Sequence, residues 1–482
     1  MKIRNLFAAS TVFAAMVVLA SCSKESSTVS TPQFKTAVTL KKDTLSGSVK
    51  GTMTSGKTYY FASPVTINSG DTLVMQSGVK LLSLDPSAML IVNGVFISLG
   101  TKAQPNWITG VDADKNPSTY KQTTYLDPNT DKGLCLTCLN GTGKLWGGIQ
   151  CSVTATLLDI KWTHLDFAGG TVATGSPLTS GFYAAGAALF VTYFQNPNGV
   201  YILEDSWVYG STTDAARVNA GKIHFMRNTI EKLAYNDGDA LNVKGGTVGD
   251  MAYNLIIGSA KGGTKASNKG IAVGSPQCNI NMYNNTYLNG GWRSVDPDRG
   301  ANVDYEQGAK GLAFNNIMVN CKTGLRYLEN PVADTVGNDS GYGNNLYYGD
   351  SVKVTDQFLP TTHLGKLNTT DIPAPGTYYT AYKGIHWFIV ATYDGTALVS
   401  QNDPKFVHYP LPITGQALRN ITWADGFDFH LATGSPAIGK GTTAVTPINA
   451  TISVSNKYLA ATVTPPNKDL GAYPTDGTGN QH

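Results

Sequence analysis

The feature that most constrains this chain is an internal repeat. A short apolar strand ends in a polar residue, most often Asn, and a second β-branched or aromatic strand follows at once. The segments are IHFMRNTI around Asn228, MAYNLIIG around Asn254, INMYNNTYL around Asn285, LAFNNIMV around Asn316 and YGNNLYYG around Asn345. Upstream, YILEDSWVYG puts Asp205 at the same point and IKWTHLDFAG puts His164 there. From Asp205 onward the separations are 23, 26, 31, 31 and 29 residues. Such a period is too short for a propeller blade and contains no helical pattern. It fits one coil of a parallel β-solenoid, with loops of variable length between strands. Coils of this kind stack about 4.8 Å apart, so equivalent residues form ladders along the axis. An Asn at a sharp turn tolerates a left-handed backbone and can hydrogen-bond its counterparts above and below. The expected fold is therefore all-β, with Asn228, Asn254, Asn285, Asn316 and Asn345 as a structural ladder.

Two flanking regions carry a resemblance. ASPVTINSGDTLVMQSGVKLLSLDPSAMLIVNGVFISLGTKAQPNWITG (62–110), followed by LWGGIQ (145–150), is similar to the opening coils of exported β-helix proteins of Bacteroidota. NDPKFV (402–407), DFHLATGSPAIGKGT (428–442) and KDLGAYP (468–474) are similar to their closing segment. The chain thus resembles the right-handed parallel β-helix, or pectin-lyase-like, superfamily, with the β-helix domain expected over 50–475. Residues 351–400, rich in aromatics, Pro and Gly, break the coil pattern and read as a long excursion. Residues 401–475 read as the closing segment and 476–482 as a polar tail. The superfold houses lyases, hydrolases, epimerases and non-enzymatic adhesins, so the resemblance implies a fold and not an activity.

The N-terminus reads as an address. Lys2 and Arg4 precede an apolar run from Leu6 to Ala20, which stops at Ser21 before Cys22. This run is short for a bilayer span and has the layout of a secretory signal. Leu19-Ala20-Ser21-Cys22 resembles the lipobox of bacterial lipoproteins. That likeness implies cleavage after residue 21, lipidation of Cys22, and anchoring in the outer membrane by acyl chains. Residues 22–49 then form a polar tether. The side of the membrane is left open by the sequence. Without residues 1–21, 34 basic residues face 33 acidic ones, which gives no support to nucleic-acid binding. A monomeric body is expected, since closed end coils leave no strand edge to pair.

Five further cysteines follow Cys22. Cys135-Leu-Thr-Cys138 is a CxxC, but no second pair or nearby His completes a zinc set. A disulfide among Cys135, Cys138 and Cys151 is the expected reading, with Cys278 and Cys321 as buried thiols.

Each coil also carries a strand ahead of its Asn turn. ALNVK (240–244), GIAVG (270–274), NVDYE (302–306) and GLRYL (324–328) align, with AARVN (215–219) one coil earlier. Alternation points Leu241, Val303 and Leu325 inward, followed by Val243, Tyr305 and Tyr327. The outward ladders then read Arg217, Asn242, Ala272, Asp304, Arg326 and Asn219, Lys244, Gly274, Glu306, Leu328. Ala272 and Gly274 would leave a gap between the charged rungs for a sugar ring. Asp304 and Arg326 would lie one coil apart, as a surface pair. Asp237 and Asp239 lie in a loop before this face, and Trp292 in another could stack on a pyranose.

Two functions follow as expectations. One is a non-catalytic binding face for a glycan, or for an envelope protein, with Arg217, Asn242, Lys244, Trp292, Asp304, Glu306 and Arg326 as contacts. The other is a polysaccharide-active enzyme, a lyase on uronic-acid polymers ahead of a glycoside hydrolase. In β-helix lyases a Lys or Arg abstracts the proton beside a uronate carboxylate, which a cation neutralises. The resemblance would assign Lys244 or Arg326 as base, and Asp304, Glu306, Asp237 or Asp239 as ligands of a Ca²⁺ ion. The paired carboxylates of a β-helix glycosidase are matched only faintly by Asp237 and Asp239. Neither enzymatic signature is complete, which favours the binding face, with no cofactor required.

Overall fold

In the computed structural model, the described residues are 38–115, 145–170, 189–231, 233, 238–270, 275–291, 294, 300–328, 340–349, 402–409, 427–449, 451–452 and 461–482. Cys22, Cys135, Cys138, Asp237, Trp292 and the expected excursion at 351–400 lie outside them.

One coil shows how the chain winds. Thr247–Ala252 forms a strand of a first sheet, Leu255–Ile257 of a second and Gly262–Ser267 of a third, before Asn279–Tyr283 returns to the first sheet one level on. Among the described residues the coil-to-coil pairings are parallel and, apart from one shift between Leu45 and Gly47 in the first strand, keep their register, as in Met251 opposite Met282, Ile256 opposite Tyr287 and Thr264 opposite Val303. Ten described strands make up the first sheet. The second and third sheets are joined through one long strand, Thr58–Ile67, whose two halves pair with different neighbours. The architecture is a right-handed parallel β-helix. Among the described residues the only helix is the short Val111–Lys115, and none is long and apolar enough to cross a membrane.

Alternation along the strands fills the interior. Phe225, Met251 and Met282 from the first sheet meet Ile230, Ile256 and Tyr287 from the second. Leu241, Val243, Val303, Tyr305 and Leu325 arrive from the third, all sealed from solvent in one continuous core. Cys278 and Cys321 share this core as free thiols. So does Cys151, at the end of strand Ile149–Cys151, and this takes Cys151 out of the expected disulfide: its side chain faces the coil interior and is unpaired, while Cys135 and Cys138 lie outside the described residues.

The Asn ladder sits at the corner between the first and second sheets. Each Asn Nδ2 donates to the Oδ1 of the next, at 2.9 Å from Asn228 to Asn254 and from Asn254 to Asn285. The distance is 3.0 Å from Asn285 to Asn316 and from Asn316 to Asn345. The same Oδ1 atoms accept the preceding Asn backbone N–H, and Nδ2 also reaches a strand carbonyl, as Asn285 does to Met251. Each buried amide is thus satisfied on both sides.

Two details differ from the expectation. The left-handed residue is the one before the rung, with φ of +58° at Arg227, +57° at Tyr253 and +53° at Asn284. The upstream rungs shift by one in consequence. Asp205 and Trp162 hold the left-handed positions, at φ +47° and +48°, so Ser206 and Thr163 occupy the rungs instead of Asp205 and His164.

The C-terminal residues run back along the outside. Asn284 donates to the Asp469 carbonyl, Gly471 N–H to the Asn315 carbonyl, Ala472 N–H to Thr286 Oγ1 and Asn480 Nδ2 to the Asn228 carbonyl. The segment read as a polar tail is therefore docked: the His482 ring stacks on Trp207 with centroids 3.9 Å apart. Trp207 in turn continues a stack through His164 to Trp107.

Candidate functional site

The outer face of the third sheet holds the charged side chains. Its register sets Arg217, Asn242, Lys265, Asp304 and Arg326 in one column, with Lys244, Ser267, Glu306 and Leu328 in the next. The strand between Asp239–Lys244 and Ala301–Glu306 is Gly262–Ser267, and residues 271–274 lie outside the described residues. The proposed gap at Ala272 and Gly274 is accordingly filled by Lys265 and Ser267. The segment GGTKAS carries no hydrophobic alternation, and small inward residues (Thr264 and Ala266) hide its strand character. A Cβ at Gly262 would lie 2.6 Å from Asp239 Oδ1 and 2.7 Å from the Ala301 carbonyl, so glycine lets this strand pass beneath the Asp239 carboxylate.

Lys265 reorganises the face. Its Nζ lies 3.2 Å from Glu306 Oε2, 3.5 Å from Asp304 Oδ2 and 4.0 Å from Asp239 Oδ2. Arg326 donates to both Asp304 oxygens, from Nε at 2.9 Å and Nη2 at 2.7 Å, and Nη2 lies 3.4 Å from Glu306 Oε1. Ser267 Oγ donates to Glu306 Oε2 at 2.8 Å. Asp304, Glu306 and Arg326 are only 1–4 % exposed, so the expected surface pair is a buried, charge-matched cluster. The sequence pattern shows alternation relative to the sheet and not what covers the outer side.

This arrangement revises several assignments. Arg326 cannot act as a base while both sides of its guanidinium fork are held by Asp304, and a guanidinium gives up its proton only with great difficulty. Asp304 and Glu306 are neutralised by Lys265 and Arg326, so a Ca²⁺ ion would have to displace both cations. Asp239 is engaged as well, accepting Asn242 Nδ2 at 2.8 Å. Among the described residues no group of three or more His, Cys, Asp and Glu has a metal-holding arrangement.

One end of the face is different. Asp214, just ahead of strand Ala216–Val218, accepts Asp239 N–H at 2.8 Å and Asn242 Nδ2 at 3.0 Å, and contacts Arg217 Nη1 at 3.4 Å. The Arg217 guanidinium carbon lies 5.5 Å from the centre of the Phe190 ring. Tyr193 donates to Gln195 Oε1 and accepts Asn219 Nδ2 at 2.9 Å. Phe190, Gln195, Arg217 and Asn219 are all half-buried and so reach solvent.

Within this patch Arg217 Nε, Asn219 Oδ1 and Asn242 Oδ1 are buried without a hydrogen-bond partner. Lys244 lies beside them, with no ion pair or hydrogen bond to its ammonium group among the described residues. Burial, reinforced by the Arg217 and Lys265 charges, pulls its pKa down to about 7, against the pull of Asp239 and Asp214. Sequence reading found Arg217, Asn242 and Lys244. It missed Phe190, Tyr193, Gln195 and Asp214, which lie within or beside strands of three residues, too short to show a period.

Compared with models of known protein families and with curated proteins, the sequence matches none.

Proposed function

We propose that this is an exported protein, anchored through a lipidated Cys22 on the outer membrane, whose β-helix binds a glycan without turning it over. The binding site would be the half-open patch of Phe190, Gln195, Arg217, Asn219 and Lys244, with Asn242 behind it. One observation carries this reading: unpartnered polar atoms gather at this end of a face whose remaining charges are matched. Buried polar groups left without partners cost free energy, so their concentration at a solvent-reached spot points to a polar ligand that supplies the missing bonds. An aromatic ring beside amides and a guanidinium suits a sugar, with one apolar face and a hydroxyl rim.

A second reading is favoured by Lys244 alone. A lysine with its pKa near neutrality can accept a proton, which is what a uronate lyase asks of its base. Gel retardation in a panel of polysaccharides, run beside an assay for unsaturated products, separates the two. Retardation that weakens in Arg217→Ala and Lys244→Ala, with no unsaturated product, is the expected result. Product formed by wild type and abolished in Lys244→Ala would replace the binding reading with the lyase.

A further inference from the structure

The outer face of the first sheet carries a second set of ionisable groups, and the C-terminal strap closes over it. In the column Ile97, Asp159, Ile202, His224, Asp250, successive residues lie one coil apart. Ile97 and Ile202, on either side of Asp159, belong to an apolar cluster completed by Ala461 of the strap. Asp159 is fully buried in that setting, and neither carboxylate oxygen has a hydrogen-bond partner. Farther along, Val463 packs on Met226, Ala252, Tyr253 and Tyr283, and Arg227 donates to Thr464 Oγ1. Asp250 accepts the backbone N–H groups of Ile448 and Asn449, each at 3.0 Å.

We propose that strap residues 461–463 are a proton-dependent latch, seated while the Asp159 carboxyl is uncharged and loosened when it ionises. A carboxylate in an apolar cluster without donors is costly, and the segment able to move away and admit water is the strap, since Asp159 itself is fixed in a ten-stranded sheet. Lifting residues 461–463 would open the apolar cluster around Ala461 and hydrate Asp159.

The surrounding charges determine the sign. On its own strand Asp159 faces Lys161, which is occupied by Glu204 at 3.0 Å. Glu204 also contacts His224 and lies 3.9 Å from Arg227. Burial alone would raise Glu204, but His224, Lys161 and Arg227 hold it well below the ordinary carboxylate range, so it stays anionic. The strap strands Thr451–Ile452 and Ala461–Thr462 bring no ionisable side chain. Burial, with Glu204 adding to it and Lys161 opposing it, pushes Asp159 up to about 7. With the strap lifted, the carboxyl returns toward its ordinary value. The closed form therefore binds the extra proton, and opening becomes easier as pH rises through this window.

Hydrogen exchange of the peptide covering 461–464, corrected for the intrinsic pH dependence of exchange, reads the latch. The opening equilibrium should rise by about tenfold per pH unit between about pH 4 and pH 7 and level off above. Asp159→Asn, which keeps the shape and removes the charge, should flatten this rise. A flat profile in wild type, or the same rise in Asp159→Asn, would overturn the latch. Asp250 also has a raised pKa, of about 6, so the difference between wild type and Asp159→Asn is the deciding quantity.

Discussion

Asp304 and Arg326, facing each other from adjacent coils, form a two-pronged ion pair at 2.9 and 2.7 Å with both side chains sealed from water. Lys265 and Glu306 complete a quartet in which two cations meet two carboxylates. Removing one member leaves its partner as an uncompensated buried charge. Asp304→Ala should therefore destabilise the protein by about 3–5 kcal/mol in urea unfolding, far more than the 0–1 kcal/mol of an exposed pair. Asp304→Ala together with Arg326→Met should recover part of that loss.

The Asn ladder gives a graded prediction. Asn285→Ala strands the backbone N–H and Nδ2 of Asn254 and the carbonyl of Met251, and should cost about 2–4 kcal/mol. Asn285→Ser should cost less, because Ser206 already fills a rung, accepting from Thr163 and donating to the Glu204 carbonyl. Equal losses for the two variants would show that the rung works through packing and not through its hydrogen bonds.

The thiols offer a simpler check. Burial pushes Cys278 and Cys321 up to about 12 and raises Cys151 further, so none is a thiolate at neutral pH. Alkylation followed by peptide mass mapping should leave these three unmodified in the folded protein and label all of them in denaturant.

The coil was legible because its two strongest signals are local. Asn recurs at one corner, and β-branched or aromatic residues alternate beside it, as around Asn254 and Asn285. The third sheet was legible only where its inward residues are large, as at Leu241, Val243, Val303 and Tyr305. Gly262–Ser267 escaped because Thr264 and Ala266 give little contrast with their neighbours, and Lys265 was missed with it. Burial of the outer faces was not legible at all. It depends on segments far away in the chain, as the strap shows by bringing Ile448 to Asp250 and His482 to Trp207.

Lys244 links stability to binding. Its folded pKa of about 7 lies below the 10.5 of a free lysine, so the folded protein binds fewer protons than the unfolded chain between those values. Stability from this group is lowest below about pH 7 and rises with pH across the window. Lys244→Met, of similar length and uncharged, should raise stability at pH 7 by about 1–3 kcal/mol, with the advantage vanishing toward pH 10.

The most direct test of the binding account joins that variant to the ligand. Urea unfolding and calorimetric titration with oligosaccharides cut from a retarding polysaccharide are run on wild type and Lys244→Met. The account predicts a more stable protein whose affinity falls at least about tenfold, since a charged contact contributes about 1.5–3 kcal/mol. Unchanged affinity in a well-folded Lys244→Met would contradict it.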